Sequence, residues 1–382
     1  MASTTERKVR FHIMKIMELC LSPDLGGLEL YVYRSSMKLA ENDKVYAVIN
    51  KSGKLAERFK ASGISILYLD KCSKILPLVN ARKLASIIDE NNIDVIHMHW
   101  GRDLSLAALA KHFSKNKPRL VYTRQMQITR NKDGFYHRFL YKQVDVFITI
   151  TQALAKLARS YLSEADKDKV MPLYYGVQEP DKILSQEEKT SLRKEVGFNE
   201  KDYVVALFGR IEEYKGQHVV IDAISNLKKQ DERIKGLIIG HAMDENYLRK
   251  IKNSVKNLGL ENDVCFMNFV ENPQKWMQAC DAVILATKEE TFGLVLAEAM
   301  QSGVVVIGTN SGGVPEIIDH NQSGFLFEYE DVESLSHYII ELKKDKNKAL
   351  LFAKTGKEKS QKLFDINNHY VELRKLLAGT YN

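Results

Sequence analysis

The stretch that decides this chain is Glu290-Thr-Phe-Gly-Leu-Val-Leu-Ala-Glu298, which follows the apolar run Asp281-Ala-Val-Ile-Leu-Ala-Thr287. The apolar run is typical of a buried parallel strand, and residues 293–300 are typical of a helix opened by a glycine. Glu290 therefore lies in a loop before a helix N-terminus, whose free N–H groups favour phosphate, and Glu298 lies inside the helix. Two carboxylates beside a phosphate site suit a ligand with hydroxyls on both sides of a phosphate. A sugar nucleotide is such a ligand.

The rest of the chain alternates apolar strands with amphipathic helical windows, which predicts doubly wound α/β domains. A charged segment, residues 178–202, divides the strands into two series and is the predicted linker. Two such domains facing each other would place their strand carboxyl ends around one cleft. The predicted strands are residues 13–20, 44–50, 64–70, 94–100, 119–125, 146–151 and 170–177, then 203–209, 236–240, 264–269, 281–287 and 304–309.

Composition narrows the class of protein. With 382 residues and 45% hydrophobic content, the chain predicts two to three domains with full cores. No apolar stretch is long enough to span a bilayer, and the polar first ten residues lack the apolar core of a signal peptide, so we expect a cytoplasmic protein. The cysteines follow no metal spacing and are predicted to be buried free thiols; they are Cys20, Cys72, Cys265 and Cys280.

The net charge of +7 comes from the N-terminal half, which predicts an anionic partner unless the excess is simply solvated. Within it, residues 119–142 interleave basic and aromatic side chains. This composition suits an anionic membrane surface or a lipid-linked phosphate acceptor, and it could also hold single-stranded nucleic acid. A further interpretation is that the aromatic rings pack inward. We favour the membrane or acceptor and expect no nucleic acid as a partner.

Four further motifs accompany the first, in a fixed order: Asp24-Leu-Gly-Gly-Leu-Glu29, Phe208-Gly-Arg-Ile-Glu-Glu-Tyr-Lys-Gly216, Ser311-Gly-Gly-Val-Pro-Glu316 and Ser323-Gly-Phe-Leu-Phe327. Together the five motifs resemble those of the retaining, GT-B-fold glycosyltransferases of family 4, of the bacterial surface-glycan type. The resemblance extends over nearly the whole chain. It implies an N-terminal acceptor-binding domain at 1–180, a C-terminal nucleotide-sugar-binding domain at 181–366, and a C-terminal helix at 367–382 that crosses back to the first domain.

The resemblance also implies roles for particular residues. The catalytic set is Arg210, Lys215 and Glu290, in which the two cations stabilise the departing diphosphate and Glu290 binds hydroxyls of the transferred sugar. Glu298 is expected to bind the ribose hydroxyls, and backbone amides of the neighbouring residues are expected to bind the diphosphate. The donor-binding set is Gly26, Gly27, Gly209, Phe292, Gly293, Leu294 and Glu298.

Three further residues are expected to line the acceptor side or the cleft: His99, Arg124 and Gln125. His97 and His99 alternate on one strand, but without a third ligand in reach by sequence we expect no metal, with His97 in the core and His99 facing the cleft. Many relatives carry a histidine where Gln125 lies. Glutamine donates a hydrogen bond but carries no proton, so whether it replaces that histidine is open.

The implied activity is transfer of a hexose from a UDP- or GDP-sugar to a hydroxyl of a growing glycan or lipid-linked acceptor, with retention and without metal or cofactor. Lipopolysaccharide or other surface polysaccharide biosynthesis is the expected context. The implied location is the cytoplasm, with peripheral contact to the anionic inner membrane as an extension. Two alternatives stay open: a sugar-nucleotide epimerase on the same fold, and a non-catalytic nucleotide-sugar-binding protein. The sequence determines neither the base, the sugar, the acceptor, the linkage nor the oligomeric state.

Overall fold

The computed structural model of the protein describes residues 13–69, 76–129 and 131–381. Cys72 and Arg130 lie outside the described residues. The chain divides into two compact units: the first contains Met1–Ile150, Ala155–Leu173 and Tyr370–Asn382, and the second contains Thr151–Leu154 and Tyr174–His369.

The helices and strands follow each other in near-regular alternation. The strands are β1 (Lys15–Cys20), β2 (Lys44–Asn50), β3 (Ser65–Leu69), β4 (Val95–Met98), β5 (Arg119–Arg124), β6 (Val146–Thr149), β7 (Val170–Pro172), β8 (Tyr203–Phe208), β9 (Ile234–Ile239), β10 (Val264–Met267), β11 (Ala282–Leu285), β12 (Val305–Thr309) and β13 (Gly324–Phe327). The α-helices are α1 (Gly27–Leu39), α2 (Leu55–Phe59), α3 (Leu78–Asn91), α4 (Leu104–Phe113), α5 (Phe135–Gln143), α6 (Gln152–Tyr161), α7 (Gln186–Glu195), α8 (Gln217–Lys229), α9 (Glu245–Asn257), α10 (Pro273–Met277), α11 (Leu294–Gln301), α12 (Val314–Ile317), α13 (Val332–Lys344), α14 (Lys346–Leu363) and α15 (Ile366–Ala378). Short 3₁₀ turns lie at Gly101–Asp103, Glu164–Lys169 and Glu213–Lys215.

Each unit is built on one parallel sheet. The first sheet has the order β3-β2-β1-β4-β5-β6-β7, and the second has the order β10-β9-β8-β11-β12-β13. All the strand pairings are parallel, as βαβ crossovers require. The predicted fold class, α/β with two doubly wound Rossmann-like domains, is therefore confirmed.

In both sheets the strand order reverses in the middle. The chain builds outward from β1 to β3, returns to pair β4 with β1, and continues on the other side. It does the same in the second sheet, where β11 returns to pair with β8. A crevice opens at such a reversal beyond the carboxyl ends of the two central strands, and ligands of open α/β sheets bind there. The loops that follow β1, β4, β8 and β11 therefore border these two crevices.

The strands of the first unit are nearly all apolar because helices cover both faces of a parallel sheet. Several strands end earlier than the sequence predicts. The predicted strand 94–100 stops at Met98, and the strand 281–287 stops at Leu285, because the residues beyond leave the ladder to form loops. One strand was not predicted: β13 comes from the motif that begins at Ser323.

The predicted linker is packed structure. Within it, α7 carries Arg193, whose buried guanidinium donates to the carbonyl oxygens of Ala279, Glu200 and Asp202 and pairs with Asp281 at 3.0 Å. Cys20, Cys265 and Cys280 are free thiols, as predicted, although Cys265 is only half-buried. Among the described residues, none of the helices is both long and apolar enough to cross a membrane.

Candidate functional site

In the second unit, the strand reversal brings together the three predicted catalytic residues. The loop after β8 carries Arg210 and Lys215, and the loop after β11 carries Glu290. The Lys215 Nζ lies 2.8 Å from the Glu290 Oε2, and both side chains are about four-fifths buried, with exposed fractions of 18% and 20%. Two loops that are far apart in sequence therefore meet through a partly desolvated ion pair.

Backbone contacts hold these two loops together. The Lys288 N–H donates to the Tyr214 carbonyl oxygen at 2.9 Å. Gly216 has a φ of 72°, and a Cβ at this position would lie 2.0 Å from the Ala286 carbonyl oxygen. Only glycine permits this approach, because any side chain would collide with the backbone that leaves β11. The glycine that ends the Arg210–Gly216 motif thus sets the spacing of the two loops.

Arg210 is held by its own loop. Its Nε lies 3.0 Å from a carboxylate oxygen of Glu212, and its Nη2 donates to the Tyr214 hydroxyl at 2.6 Å. The Arg210 carbonyl oxygen accepts a hydrogen bond from Gln217 Nε2 at 2.8 Å. Gly209, also predicted at the donor site, directly follows β8, and its N–H donates to the Ile239 carbonyl oxygen.

The Ser311–Glu316 motif supports the Glu290 loop. The Gly313 N–H donates to the Glu290 carbonyl oxygen at 2.9 Å. Gly312 has a φ of 55°, and a Cβ there would lie 1.8 Å from that same oxygen. The motif therefore fixes the backbone of a predicted catalytic residue. The sequence identified these glycines as a family landmark but gave them no such role.

The predicted diphosphate-binding amides lie at the start of α11, with Gly293 as its N-cap residue. The Phe292 ring is buried and packs edge-on against Tyr175 and Phe364, with Tyr174 beside it. This aromatic packing fixes the segment that enters the helix. Leu294 begins the helix, and Glu298 lies half-buried on it. The Leu296 N–H donates to the Gly293 carbonyl oxygen at 2.9 Å, whereas the N–H groups of Leu294 and Val295 have no acceptor within the helix and lie at its positive dipole end, which suits phosphate.

The remaining predicted residues lie in the first unit. Gly26 is the N-cap of α1, and its N–H donates to the Glu29 carboxylate at 2.7 Å. Gly27 is different, because a Cβ built there meets no atom within 4 Å and its φ is not positive. Neither strain nor packing requires glycine at this position. The open space before Gly27 is what a closely approaching ligand would need.

The two histidines do not divide as predicted. Both His97 and His99 are buried, with exposed fractions of 0% and 1%, so the expectation that His99 faces the cleft is wrong. The reason is Glu18, which lies on β1 directly opposite His97 in register. Its carboxylate contacts His97 Nδ1 at 3.0 Å and His99 Nε2 at 2.6 Å, and His97 Nε2 contacts the Thr123 hydroxyl at 2.7 Å.

Glu18 is the functional candidate that sequence reasoning missed. The sequence did contain an indication of its importance, because Glu18 is a carboxylate inside the otherwise mainly apolar strand Lys15–Cys20. With His97 and His99 it forms a three-residue group whose ligand atoms lie within 4.8 Å of one another, so the third ligand that the sequence did not offer does exist. Every contact in the group, however, has the length of a hydrogen bond. Among the described residues, His99 Nδ1 is buried without a hydrogen-bond partner.

The surroundings lower the pKa values of both Glu18 and His99. Burial by itself would raise the pKa of Glu18, but the two imidazoles outweigh it and hold the pKa at about 2. Burial lowers the pKa of His99 to about 4, and His97 adds to this, while Glu18 opposes it. An ionised Glu18 accepts hydrogen bonds only, so both facing nitrogens carry a hydrogen. Nearby, burial raises the pKa of Asp103 to about 7, although the Leu21 N–H that it accepts at 2.9 Å opposes the shift.

Arg124 and Gln125 end β5 and begin the loop after it. The Arg124 guanidinium donates to the carbonyl oxygens of Met126 and Gln127 and to the Tyr122 hydroxyl. The guanidinium is therefore engaged with its own loop. This makes it poorly suited to the predicted role of binding a ligand. Gln125 is buried, with an exposed fraction of 7%.

The basic and aromatic stretch 119–142 is mixed in its packing. Tyr122 and Tyr141 are buried, whereas Phe135 is 92% exposed at the start of α5 and Met126 is 53% exposed. Arg138 pairs with Asp133 at 2.8 Å. The inward-packing interpretation thus holds for the two tyrosines but not for Phe135.

Comparison with known proteins agrees with this geometry. Residues 25–178 match the family model described as Glycosyltransferase Family 4, and residues 188–359 match the model described as Glycosyl transferases group 1. The chain is 28% identical to the N-acetyl-alpha-D-glucosaminyl L-malate synthase of Bacillus anthracis, over 70% of this chain and 70% of that protein.

Two solved structures share the fold. A glycosyltransferase from Rickettsia africae superimposes with a TM-score of 0.86 at 20% identity, over 97% of this chain and 99% of that one. Anabaena HepE, solved in complex with UDP, gives a TM-score of 0.82 at 22% identity, over 96% of this chain and all of that one. The two matched family models together span most of the sequence, one on each predicted domain. The chain belongs to the GT-B-fold glycosyltransferases of group 1 and family 4.

Proposed function

We propose that this glycosyltransferase moves a hexose from a nucleoside diphosphate sugar to an acceptor hydroxyl, with retention of anomeric configuration. One observation carries the proposal: the strand reversal of the second unit gathers Arg210, the Lys215–Glu290 pair and the start of α11. Two cations and a helix N-terminus together suit a diphosphate. The two carboxylates, Glu290 and Glu298, suit the hydroxyls of the sugar and the ribose.

The reaction breaks the bond between the anomeric carbon and the diphosphate oxygen, so negative charge grows on the leaving group. Arg210 and Lys215 stabilise that growing charge, which lowers the barrier more than it strengthens ground-state binding. Glu290 already has Lys215 as its partner, so we assign it to sugar hydroxyls and not to nucleophilic attack. The acceptor oxygen bonds to the anomeric carbon on the same face from which the leaving group departs. The proton of the acceptor hydroxyl passes to a phosphate oxygen of the leaving group.

We further propose that the reaction needs no metal and no cofactor, because the two cations and the helix dipole already neutralise the diphosphate. The test is the initial rate in excess EDTA and after adding back Mg²⁺ or Mn²⁺. An unchanged rate supports the proposal. A rate that EDTA abolishes and a divalent ion restores would contradict it.

The donor is proposed to be a UDP- or GDP-sugar. In support, HepE has been solved with UDP and with UDP-glucose, and another relative, 26% identical over 44% of this chain, is a GDP-mannose-dependent mannosyltransferase of Mycobacterium tuberculosis. A thermal-shift panel of UDP-, GDP- and ADP-sugars should single out one base by mass action, with a shift of about 2.7 kcal/mol in unfolding free energy at a hundredfold excess over Kd. Proton NMR of the product with that donor then tests retention. An inverted anomer would refute the mechanism.

The acceptor is proposed to be a growing glycan or a lipid-linked oligosaccharide of lipopolysaccharide or another surface polysaccharide, at the cytoplasmic face of the inner membrane. The exposed Phe135 at the start of α5, with the exposed Lys142 on the same helix, supports contact with an anionic bilayer. Sedimentation with phosphatidylglycerol vesicles should pull down the wild type, and Phe135→Ser should weaken it. Equal sedimentation with neutral phosphatidylcholine vesicles would contradict an anionic contact.

A further inference from the structure

We propose that Glu212 and Tyr214 are positioning residues that hold the guanidinium of Arg210 in one orientation before the donor binds. We call Arg210, Glu212 and Tyr214 the arginine clamp. The inference rests on the proposed function, in which Arg210 stabilises the leaving diphosphate. It assigns a role to two residues of the motif Phe208–Gly216 that the sequence analysis left without one.

The clamp consists of two polar contacts to the Arg210 guanidinium, an ion pair with Glu212 and a hydrogen bond to Tyr214. Arg210 Nε lies 3.0 Å from the Glu212 carboxylate, and Arg210 Nη2 donates to the Tyr214 hydroxyl at 2.6 Å. Burial first, and the neighbouring Glu212 carboxylate second, raise the pKa of Tyr214 to about 12, so the hydroxyl keeps its proton.

The clamp leaves one edge of the Arg210 guanidinium accessible to a ligand. One hydrogen of Nη2 is used by the hydrogen bond to Tyr214, and Nε faces the Glu212 carboxylate in an ion pair, whereas within the described residues Nη1 has no hydrogen-bond partner. The Arg210 side chain is 42% exposed, so the remaining hydrogens are accessible. A guanidinium presents its donors as a rigid planar fork, and fixing one edge therefore fixes the direction of the others.

The backbone ties the clamp to the rest of the site. The Tyr214 carbonyl oxygen accepts the Lys288 N–H at 2.9 Å, two residues before Glu290. Glu212 is only 17% exposed, so its carboxylate is confined. Such an arrangement holds Arg210 relative to the Lys215–Glu290 pair and removes reorganisation from the reaction step.

Glu212 also has an electrostatic cost, which gives the inference a distinctive signature. Its negative charge repels an incoming diphosphate, so it weakens ground-state binding while it orients the catalytic cation. Removing the charge should therefore lower kcat while KM falls or stays unchanged. A residue that merely stabilised the fold would lower the amount of active enzyme without this split.

The experiment compares the single variants Glu212→Gln, Tyr214→Phe and Arg210→Ala with two double variants. In the double variants, Glu212→Gln or Tyr214→Phe is combined with Arg210→Ala. Glu213→Gln is the matched control, because Glu213 is the adjacent carboxylate but is 69% exposed and pairs with Lys250. The assay is nucleoside diphosphate release from UDP-glucose, UDP-N-acetylglucosamine and GDP-mannose, using the donor with the highest turnover. Thermal unfolding of every variant checks that the fold is intact.

We expect Glu212→Gln and Tyr214→Phe to lower kcat about tenfold to a hundredfold, with KM unchanged or lower, and Glu213→Gln to match the wild type. In the Arg210→Ala background the same two changes should cost less than about twofold more, because the residue they position is gone. Full additivity with Arg210→Ala, or wild-type kcat in both single variants, would overturn the clamp alone. If Arg210→Ala itself keeps wild-type kcat, or no donor is turned over by the wild type, the proposed function fails and the clamp fails with it.

Discussion

Replacing Lys215 with alanine is the most direct test of the assigned chemistry. In the proposed mechanism Lys215 is one of two side-chain cations on the leaving diphosphate. Removing one preorganised group that stabilises developing charge costs about 3 kcal/mol of transition-state energy, which lowers kcat about a hundredfold to a thousandfold. The Lys215–Glu290 pair is about four-fifths buried, with exposed fractions of 18% and 20%, so its loss also costs folding free energy, and a matched ion pair is needed to separate that cost from the catalytic one.

The activity loss of Lys215→Ala should greatly exceed the loss that its lower stability explains. The matched control is Lys235→Ala, because Lys235 pairs with Asp263 at the same 2.8 Å and with similar exposed fractions of 16% and 15%, in the same unit. Urea unfolding should show comparable changes for the two variants. Steady-state kinetics should show a loss of kcat for Lys215→Ala only.

Two results would refute the reasoning. If Lys215→Ala keeps kcat within about threefold of the wild type, the cation does not face developing charge. If Lys235→Ala loses as much activity as Lys215→Ala, the effect comes from a weakened fold and not from the site.

Three further predictions concern the first unit. Gly27→Ala should leave the melting temperature unchanged or slightly raised, because a Cβ at this position meets no atom within 4 Å. The same variant should raise KM in steady-state kinetics with donor and acceptor. An unchanged KM would mean that no ligand approaches this backbone. Glu18→Gln should cost about 3 kcal/mol in urea unfolding at pH 7, because it breaks a buried charged network. The wild type should lose the Glu18 contribution as the pH falls from 4.5 towards about 2, an acid limb that the variant lacks. Asp103 has the opposite sign: its pKa rises from 3.8 to about 7 on folding, so the wild type should lose up to about 4 kcal/mol as the pH rises through that window, and Asp103→Asn should flatten the profile. Equal slopes for wild type and variant in either pH series would contradict the corresponding assignment.

The sequence by itself determined the fold class and the placement of the donor motifs. Strand and helix periodicity are local properties, and an apolar run such as residues 281–287 has few alternatives to a buried parallel strand. Because the motifs of Arg210 and Glu290 both follow such strands, the sequence also implied that they lie at the carboxyl edge of one sheet. The roles of these residues stay predictions that the experiments above address.

The strand ends were less well determined, and the reason is physical. Residues such as His99 have the composition of a strand, but hydrogen bonding to a neighbouring strand decides whether the ladder continues. Composition alone also cannot distinguish an accessible histidine from a buried one. The exposure of His99 depended on Glu18, which lies 81 residues away in sequence.

Tertiary structure alone decided which polar groups are partners. The pairing of Glu18 with two histidines and the support of Glu290 by Gly312 join segments whose contact no periodic pattern encodes. A buried polar group needs a hydrogen-bond partner, but the sequence around it does not say which one. The free energy of such a pair depends on distances of a few ångströms that the whole fold sets. Local patterns therefore specified the sheets and their loops, and long-range packing specified the chemistry of the side chains within them.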